Sequence, residues 1–374
     1  MRFLHTADWH IGRRLHGFDL REEQQFAFQQ IEQIALQEKV DGIIVAGDLY
    51  DRSLPSEESV ATLNQMLRQL NLQDKLPLYV ISGNHDSATR LGTGQEWYTT
   101  TQFYLHTDLQ QALTPIELTD TQIFLVPYFE PFAARQLFKD DSLHNLQSTM
   151  HLLITKMKQQ FVPHKKHILV AHFFVSGSTK SDSETALTIG GLAPISADLL
   201  QDFDYVALGH LHNEAALHLP NARYSGSPVK FSLSEAEQQK GVWIVDTDPL
   251  QLTFKPLKML HDVHQLIGDF ETLLSESFYH NLNLQDFFGI TLTDKQPIPN
   301  VLARLREIYP NIISLERSQN YLMPTKQITD AQIRQRDPLT LLTQVYQDAT
   351  DSNLTEQQRK WAIKALKQAQ NEVK

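Results

Sequence analysis

The sequence predicts an α/β fold that gathers polar side chains at one edge of a sheet. Three observations predict it. Short apolar runs, each the length of a buried strand, alternate with longer stretches whose apolar residues fall at three- and four-residue steps. Five of the runs end in oxygen- or nitrogen-bearing side chains, on the side where open α/β sheets place ligands. The chain's 374 residues exceed one ordinary core, so two or three domains are expected.

The elements follow in order. Residues 2–5 form the first run and lead into Thr6-Ala7-Asp8-Trp9-His10. A helical stretch over 22–37 comes next. Residues 43–46 lead into Gly47-Asp48-Leu49-Tyr50-Asp51, and a second helical stretch covers 56–70, with a stripe of Leu63, Met66, Leu67 and Leu70 that suits packing on a sheet. Residues 78–81 lead into Gly83-Asn84-His85-Asp86, followed by a helix over 87–99. Residues 167–171 lead into His172, and residues 205–208 into Gly209-His210-Leu211-His212. Glycine before Asp48, Asn84 and His210 suits a sharp exit from a strand.

A lone strand-end histidine is usually structural and a lone Gly-Asp usually a turn. The whole series, each member after an apolar run, points instead to one site. Asp8, His10, Asp48, Asn84, His172, His210 and His212 offer hard oxygens and imidazoles and no sulfur. That mix suits Mn²⁺, Fe²⁺ or Zn²⁺. Seven groups are too many for one tetrahedral ion but suit two ions sharing a carboxylate. Two ions about 3.5–4 Å apart are a standard device for hydrolysing phosphate esters.

Composition narrows the rest. The chain has no cysteine, so disulfides and thiolate metal sites are excluded. No N-terminal run is long enough for a signal peptide, and none approaches the ~20 apolar residues of a membrane span. A cytoplasmic protein without membrane contact is the expectation. A net charge of −11 excludes bulk electrostatic binding of nucleic acid. Any DNA contact needs local positive charge, metal ions or a partner.

The order Asp-x-His, Gly-Asp, Gly-Asn-His-Asp, His, Gly-His-x-His resembles the calcineurin-like metallophosphoesterases. Within them, HTADWHIGRRL, AGDLYDRSLPS, ISGNHDS and LGHLH are similar to the nuclease subunits of bacterial SbcCD complexes, relatives of the double-strand-break repair nucleases. The resemblance is sharp to about Pro228. It implies a two-sheet α/β/β/α core, a small α/β capping domain and a C-terminal helical tail, with boundaries at 1–265, 266–330 and 331–374. It implies Asp8, His10 and His212 on one ion, Asn84, His172 and His210 on a second, and Asp48 between them. The ions would be Mn²⁺. His85 would face the scissile phosphate and assist the leaving oxygen. Asp86 would either orient His85 or cap the next helix.

The same resemblance implies Mn²⁺-dependent hydrolysis of DNA: exonuclease action on duplex ends and endonuclease action on hairpins or single strands. A phosphoprotein phosphatase or cyclic-nucleotide phosphodiesterase would carry the same metal motifs, and a non-catalytic DNA-end scaffold is a third reading. Arg13, Arg14, Arg52 and Arg90 flank the motif loops and could touch DNA backbone, whereas Asp51 reads as part of a helix-entry cluster. The remaining histidines, His5, His106 and His167 among them, are assigned no chemistry.

Segments 225–228, 241–246 and 252–257 read as a continuation of the β-rich first domain. A strand over 286–292, a helix over 297–309 and a strand over 311–316 make a small βαβ unit. In the tail, Asp337-Pro338 starts a helix with Leu339, Leu342 and Tyr346 on one face. Thr355 and Gln358 make a capping box for a second, striped by Ala362, Ala365, Leu366, Ala369 and Val373. Residues 355–374 carry five Lys/Arg and two Asp/Glu. The resemblance implies that this tail docks on an SbcC-type, SMC-like ABC ATPase in a heterotetramer, and that the helices near 56–70 and 87–99 form a homodimer interface. The sequence holds no Walker A motif, so ATP hydrolysis would belong to the partner.

Overall fold

The computed structural model describes residues 1–179, 181–182, 194–318, 337–350 and 353–372. All five apolar runs are strands: Arg2–Thr6, Gly42–Ala46, Leu78–Ile81, Lys166–His172 and Tyr205–Gly209. They belong to two sheets. The first runs in the order Leu250–Pro256, Gly241–Thr247, Arg2–Thr6, Gly42–Ala46, Leu78–Ile81, Phe103–His106, and the second Ala222–Tyr224, Tyr205–Gly209, Lys166–His172, Thr121–Val126, Ile116–Glu117.

Strand alternation sorts the side chains into layers. Phe3, Ile44, Ala46, Tyr79 and Ile81 of the first sheet meet Ile123, Leu125, Ile168, Val170 and Ala207 of the second in one core. The next residues along, Leu4, Ile43, Val45 and Val80, are equally buried on the opposite face. The helix Arg21–Glu38 buries Ala27, Ile31 and Ala35, and Glu57–Arg68 buries Leu63 and Met66. Beyond the second sheet, Phe124, Leu169, Val206 and Leu208 pack with Met150, Leu153 and Met157 of Leu146–Lys158. The layering is α/β/β/α, as expected.

Several local expectations change. The helix expected over 87–99 is two short turns, Ala88–Leu91 and Gln95–Tyr98, because Gly94 between them takes φ 82°. Segment 225–228 forms no strand. The helix expected over 297–309 is only Val301–Arg306, entered through Asn300 at φ 52°, since Pro297 and Pro299 hold the preceding backbone out of a helix. Its flanking strands, Phe287–Leu292 and Ile312–Arg317, are neighbours in a three-stranded sheet whose third member, Val263–Gly268, the sequence reading does not contain.

Two compact units emerge: Met1–Gln265 with Gln285–Gly289, and Leu266–Leu284 with Ile290–Lys374. Residues 285–289 return to the larger unit through local contacts. His264 Nε2 lies 2.8 Å from Asp286 Oδ2, Phe287 N–H donates to Asp262 O at 2.8 Å, and Gly289 sits against Leu233. The boundary expected at 330/331 lies outside the described residues. In the smaller unit the tail caps form as the sequence predicts. Asp337 Oδ2 accepts Thr340 N–H at 3.0 Å. Thr355 Oγ1 accepts Gln358 N–H at 3.3 Å while Gln358 Oε1 accepts Thr355 N–H at 2.9 Å. The stripe's last residue, Val373, is not among the described residues.

One buried group between the sheets makes a pH prediction. His5 is wholly buried, with Nδ1 hydrogen-bonded to Tyr205 Oη at 2.8 Å. Burial pulls its pKa from 6.5 down to about 3. A folded-state pKa below the unfolded one means that unfolding takes up a proton between these values. His5 therefore subtracts stability as pH falls from 6.5 towards 3, by about 1.4 kcal/mol per unit. The His5→Leu/Tyr205→Phe double variant should lose that slope. Urea unfolding at pH 7.5 and 5.5, with metal chelated, checks it; parallel losses in both proteins would contradict it.

Candidate metal centre

The parallel register brings the strand ends level. Thr6 pairs with Val45, Ala46 with Ile81, and Gly209 with His172. The loops leaving both sheets are then tied together. Asp8 N–H donates to Gly47 O at 3.0 Å and His10 N–H to Asp48 O at 2.9 Å. His210 N–H reaches both oxygens of Asp8, at 3.0 and 3.1 Å.

Four of the seven candidate ligands have left-handed backbone: Asp8 at φ 53°, His10 at 43°, Asp48 at 51° and His210 at 95°. Each costs about 1 kcal/mol or more and persists only where surrounding bonds impose it. These turns swing the side chains inward. The glycines serve mainly close approach. A Cβ on Gly83 would lie 2.1 Å from Asp48 Oδ1, and one on Gly209 only 1.9 Å from Ala46 O.

The side chains converge as two groups. Asp8, His10 and His212 form one and Asp48, His172 and His210 the other, each with its ligand atoms within 4.8 Å of one another and all six residues buried. Asp48 stands between them: Oδ2 is 3.2 Å from His172 Nε2 and 3.6 Å from His10 Nε2. Its Oδ1 accepts His85 N–H at 2.8 Å. Asn84 joins the second group, with Oδ1 3.0 Å from His172 Nε2 and 2.9 Å from His210 Nδ1.

Electrostatics suit cation binding. Burial holds His10 well below the ordinary histidine pKa and His210 at about 3, so both rings are neutral, as ligation requires. His10 Nδ1 and His210 Nε2 are buried without a hydrogen-bond partner. His172 donates Nδ1–H to Ala46 O at 2.8 Å, which turns Nε2 into the centre. Burial pulls its pKa down, but the Asp48 charge overrides that and holds it at about 9. The same contact holds Asp48 below the usual carboxylate range, against burial. Donor chemistry of this kind fits a divalent metal.

His85 is half-buried, its ring centroid 4.7 Å from that of His10. Its Nδ1–H donates to Asp51 O at 2.7 Å. Asp51 is therefore no helix-entry residue. Its side chain also receives Arg13 at 3.3 Å and approaches His10 Nδ1 at 4.0 Å. Arg13 is engaged there and lies over Phe231 at 5.1 Å. Arg14 and Arg90 are exposed, and the Arg52 side chain is 80% exposed.

Asp86 takes neither expected part. Its carboxylate accepts the N–H groups of Gly83, Leu49 and Tyr50 at 2.9, 3.1 and 2.9 Å, and Ser87 holds the helix N-cap position. It ties the two loops that carry Asp48 and Asn84. Asp86→Ala leaves three amides unpaired and should cost about 3 kcal/mol or more, read by chemical denaturation. A loss below about 1 kcal/mol would contradict the clamp.

Sequence reasoning missed one more pair. Glu235 and Lys240 are buried beside His212, and Lys240 Nζ lies 2.5 Å from Glu235 Oε2. Neither has a motif neighbour, so no spacing signals them. Segment 225–228, expected as strand, instead wraps this ring: Ser227 N–H donates to His212 O at 3.1 Å.

Residues 1–214 match the family model of the calcineurin-like phosphoesterases. Residues 254–350 match one described as the type 5 capsule protein repressor C-terminal domain. A Staphylococcus epidermidis protein named as the D subunit of the SbcCD nuclease is 35% identical over 366 residues, covering 96% of each chain. Among solved structures, a Thermus thermophilus protein is 12% identical, covering 69% of this chain and 99% of its own, with a TM-score of 0.38. A dimetal phosphatase from Danio rerio is also 12% identical, covering 68% and 95%, with a TM-score of 0.40. The match over the first 214 residues and the 35% identity along nearly the whole length place the chain in the calcineurin-like metallophosphoesterase family, in its branch of SbcCD nuclease subunits.

Proposed function

We propose that the chain is a metal-dependent DNA nuclease subunit. It hydrolyses phosphodiester bonds as an exonuclease on duplex ends and an endonuclease on hairpins or single strands. The observation that carries the nuclease reading is the 35% identity, over 96% of each chain, to a protein named as the D subunit of the SbcCD nuclease; the converging Asp/His groups, with Asp48 Oδ2 facing both His10 and His172, support phosphoester hydrolysis by metal ions. Asp8, His10 and His212 would hold one ion, Asn84, His172 and His210 the other, and Asp48 would bridge. Mn²⁺ is the ion proposed. When bound, such ions lower the pKa of water and neutralise charge on phosphate. The protein's own part is orientation. Asp51 O fixes the His85 tautomer, and His85 stabilises the departing oxygen. Arg13, Arg14, Arg52 and Arg90 supply local positive charge on a chain of net −11.

Residues 1–265 would be the nuclease domain, 266–330 a capping domain and 331–374 the segment that binds an SbcC-type, SMC-like ATPase in a heterotetramer. Exposed Trp361 and Val345, 62% and 58% accessible, support docking by the two tail helices. Exposed Trp97 and Leu72, 77% and 54% accessible, support a homodimer face near 56–70 and 87–99. The test is an assay of the purified chain, with and without SbcC and ATP, on end-labelled duplex and hairpin DNA in Mn²⁺ or chelator. A phosphopeptide and a cyclic nucleotide run beside it. Mn²⁺-dependent DNA cleavage is expected; turnover of only the small phosphoesters would move the protein to the phosphatase or phosphodiesterase branch.

A further inference from the structure

The loop over 225–240 builds a polar support behind one ligand ring. Lys240 Nζ gathers four acceptors: Glu235 Oε2 at 2.5 Å, His212 O at 2.9 Å, Gln238 Oε1 at 2.9 Å and Ser227 Oγ at 3.0 Å. The other carboxylate oxygen of Glu235 faces His212 Nδ1 at 3.6 Å and accepts Ser232 Oγ–H at 3.2 Å. On its far side the same ring presents Nε2 to His10 Nε2, 3.1 Å away. Glu235 is 0% exposed and Lys240 3%. Burying two charges is costly unless something requires them there.

From this geometry we infer that Glu235 is a positioning residue for the ion held by Asp8, His10 and His212, acting through His212, with Lys240 as its counter-ion. A carboxylate beside Nδ1 selects the tautomer with hydrogen on Nδ1, leaves the Nε2 lone pair for the cation and raises its basicity. Lys240 neutralises Glu235, so the pair orients the ring without adding net charge to the centre. Lys240 also pins the carbonyl of His212, fixing backbone and ring together. No equivalent carboxylate serves the other group among the described residues: His172 Nδ1–H is held by a backbone carbonyl instead. The inference rests on the two-ion reading above and predicts an asymmetry between its two sites.

The test is calorimetric titration of the metal-free full chain with Mn²⁺ alone, comparing wild type, Glu235→Gln and the Glu235→Gln/Lys240→Met double variant. The double variant leaves no unpaired buried charge and covers the case in which the single one fails to fold. Met150→Ala, a truncation in the core beyond the second sheet that removes no candidate ligand, controls for general loss of stability. Wild type should bind two ions. Both Glu235 variants should weaken one binding step by about 10–100-fold and keep the other, while Met150→Ala keeps both at a lower Tm. Unchanged binding in folded Glu235 variants would overturn the inference, and so would an equal loss at both steps that tracks Tm. A wild-type chain that binds no Mn²⁺ would instead overturn the two-ion reading beneath it.

Discussion

An Asp48→Ala chain is expected to lose both ions. Every other candidate ligand belongs to one group, but Asp48 Oδ2 faces His10 and His172 at once. Removing it takes the shared anion away from two cations. Outer-sphere changes alone cost about 10–100-fold in metal affinity, so loss of this ligand should weaken both binding steps by at least about 100-fold. There is a linked proton effect. The Asp48 charge holds His172 at about 9 against burial, so at pH 7 the metal-free ring carries a proton that ion uptake must release. Mn²⁺ binding by wild type should therefore tighten as pH rises from 7 towards 9. Titrations in buffers of different ionisation enthalpy read that release directly. Full two-ion occupancy in Asp48→Ala would sink the bridging assignment.

His85→Ala should do the reverse: both ions stay and DNA cleavage drops by about 10²–10⁴-fold, the scale of a lost acid–base group. Alanine keeps the metal centre because the contact that residue 85 makes with Asp48 is through its backbone N–H, at 2.8 Å. What disappears is an imidazole whose Nδ1–H is fixed on Asp51 O and which is half-exposed where the ligand rings are buried. That is the position of a group that meets substrate. Turnover near the wild-type rate would remove His85 from the chemistry. Loss of an ion together with activity would recast it as a ligand.

The parts of this centre legible in the sequence are those written locally. Apolar runs of four or five residues mark strands, and the polar residues that follow mark the edge where they end. All seven candidate ligands could be named because each ends or closely follows its strand. The tail caps at Asp337 and Thr355 were legible for the same reason: the cap and its target are three residues apart. What was illegible depends on distance in the chain. Asp86 bonds back to Leu49 and Tyr50 across 37 and 36 residues, and no pattern at Asp86 announces that. Glu235 reaches His212 from a turn with no motif of its own. Asp51 stands beside helix-start residues that gave it a sufficient local explanation, which hid its carbonyl contact with His85. The left-handed turns at Asp8, His10, Asp48 and His210 oppose the preference of their residue types. Tertiary bonds impose them, so local preference pointed the other way.

The most direct measurement is anomalous diffraction at the manganese edge from crystals of the full chain grown with Mn²⁺. The account predicts two peaks, one against Asp8, His10 and His212, the other against Asn84, His172 and His210, with Asp48 touching both. A single peak, or one that leaves either group of side chains uncoordinated, would contradict it.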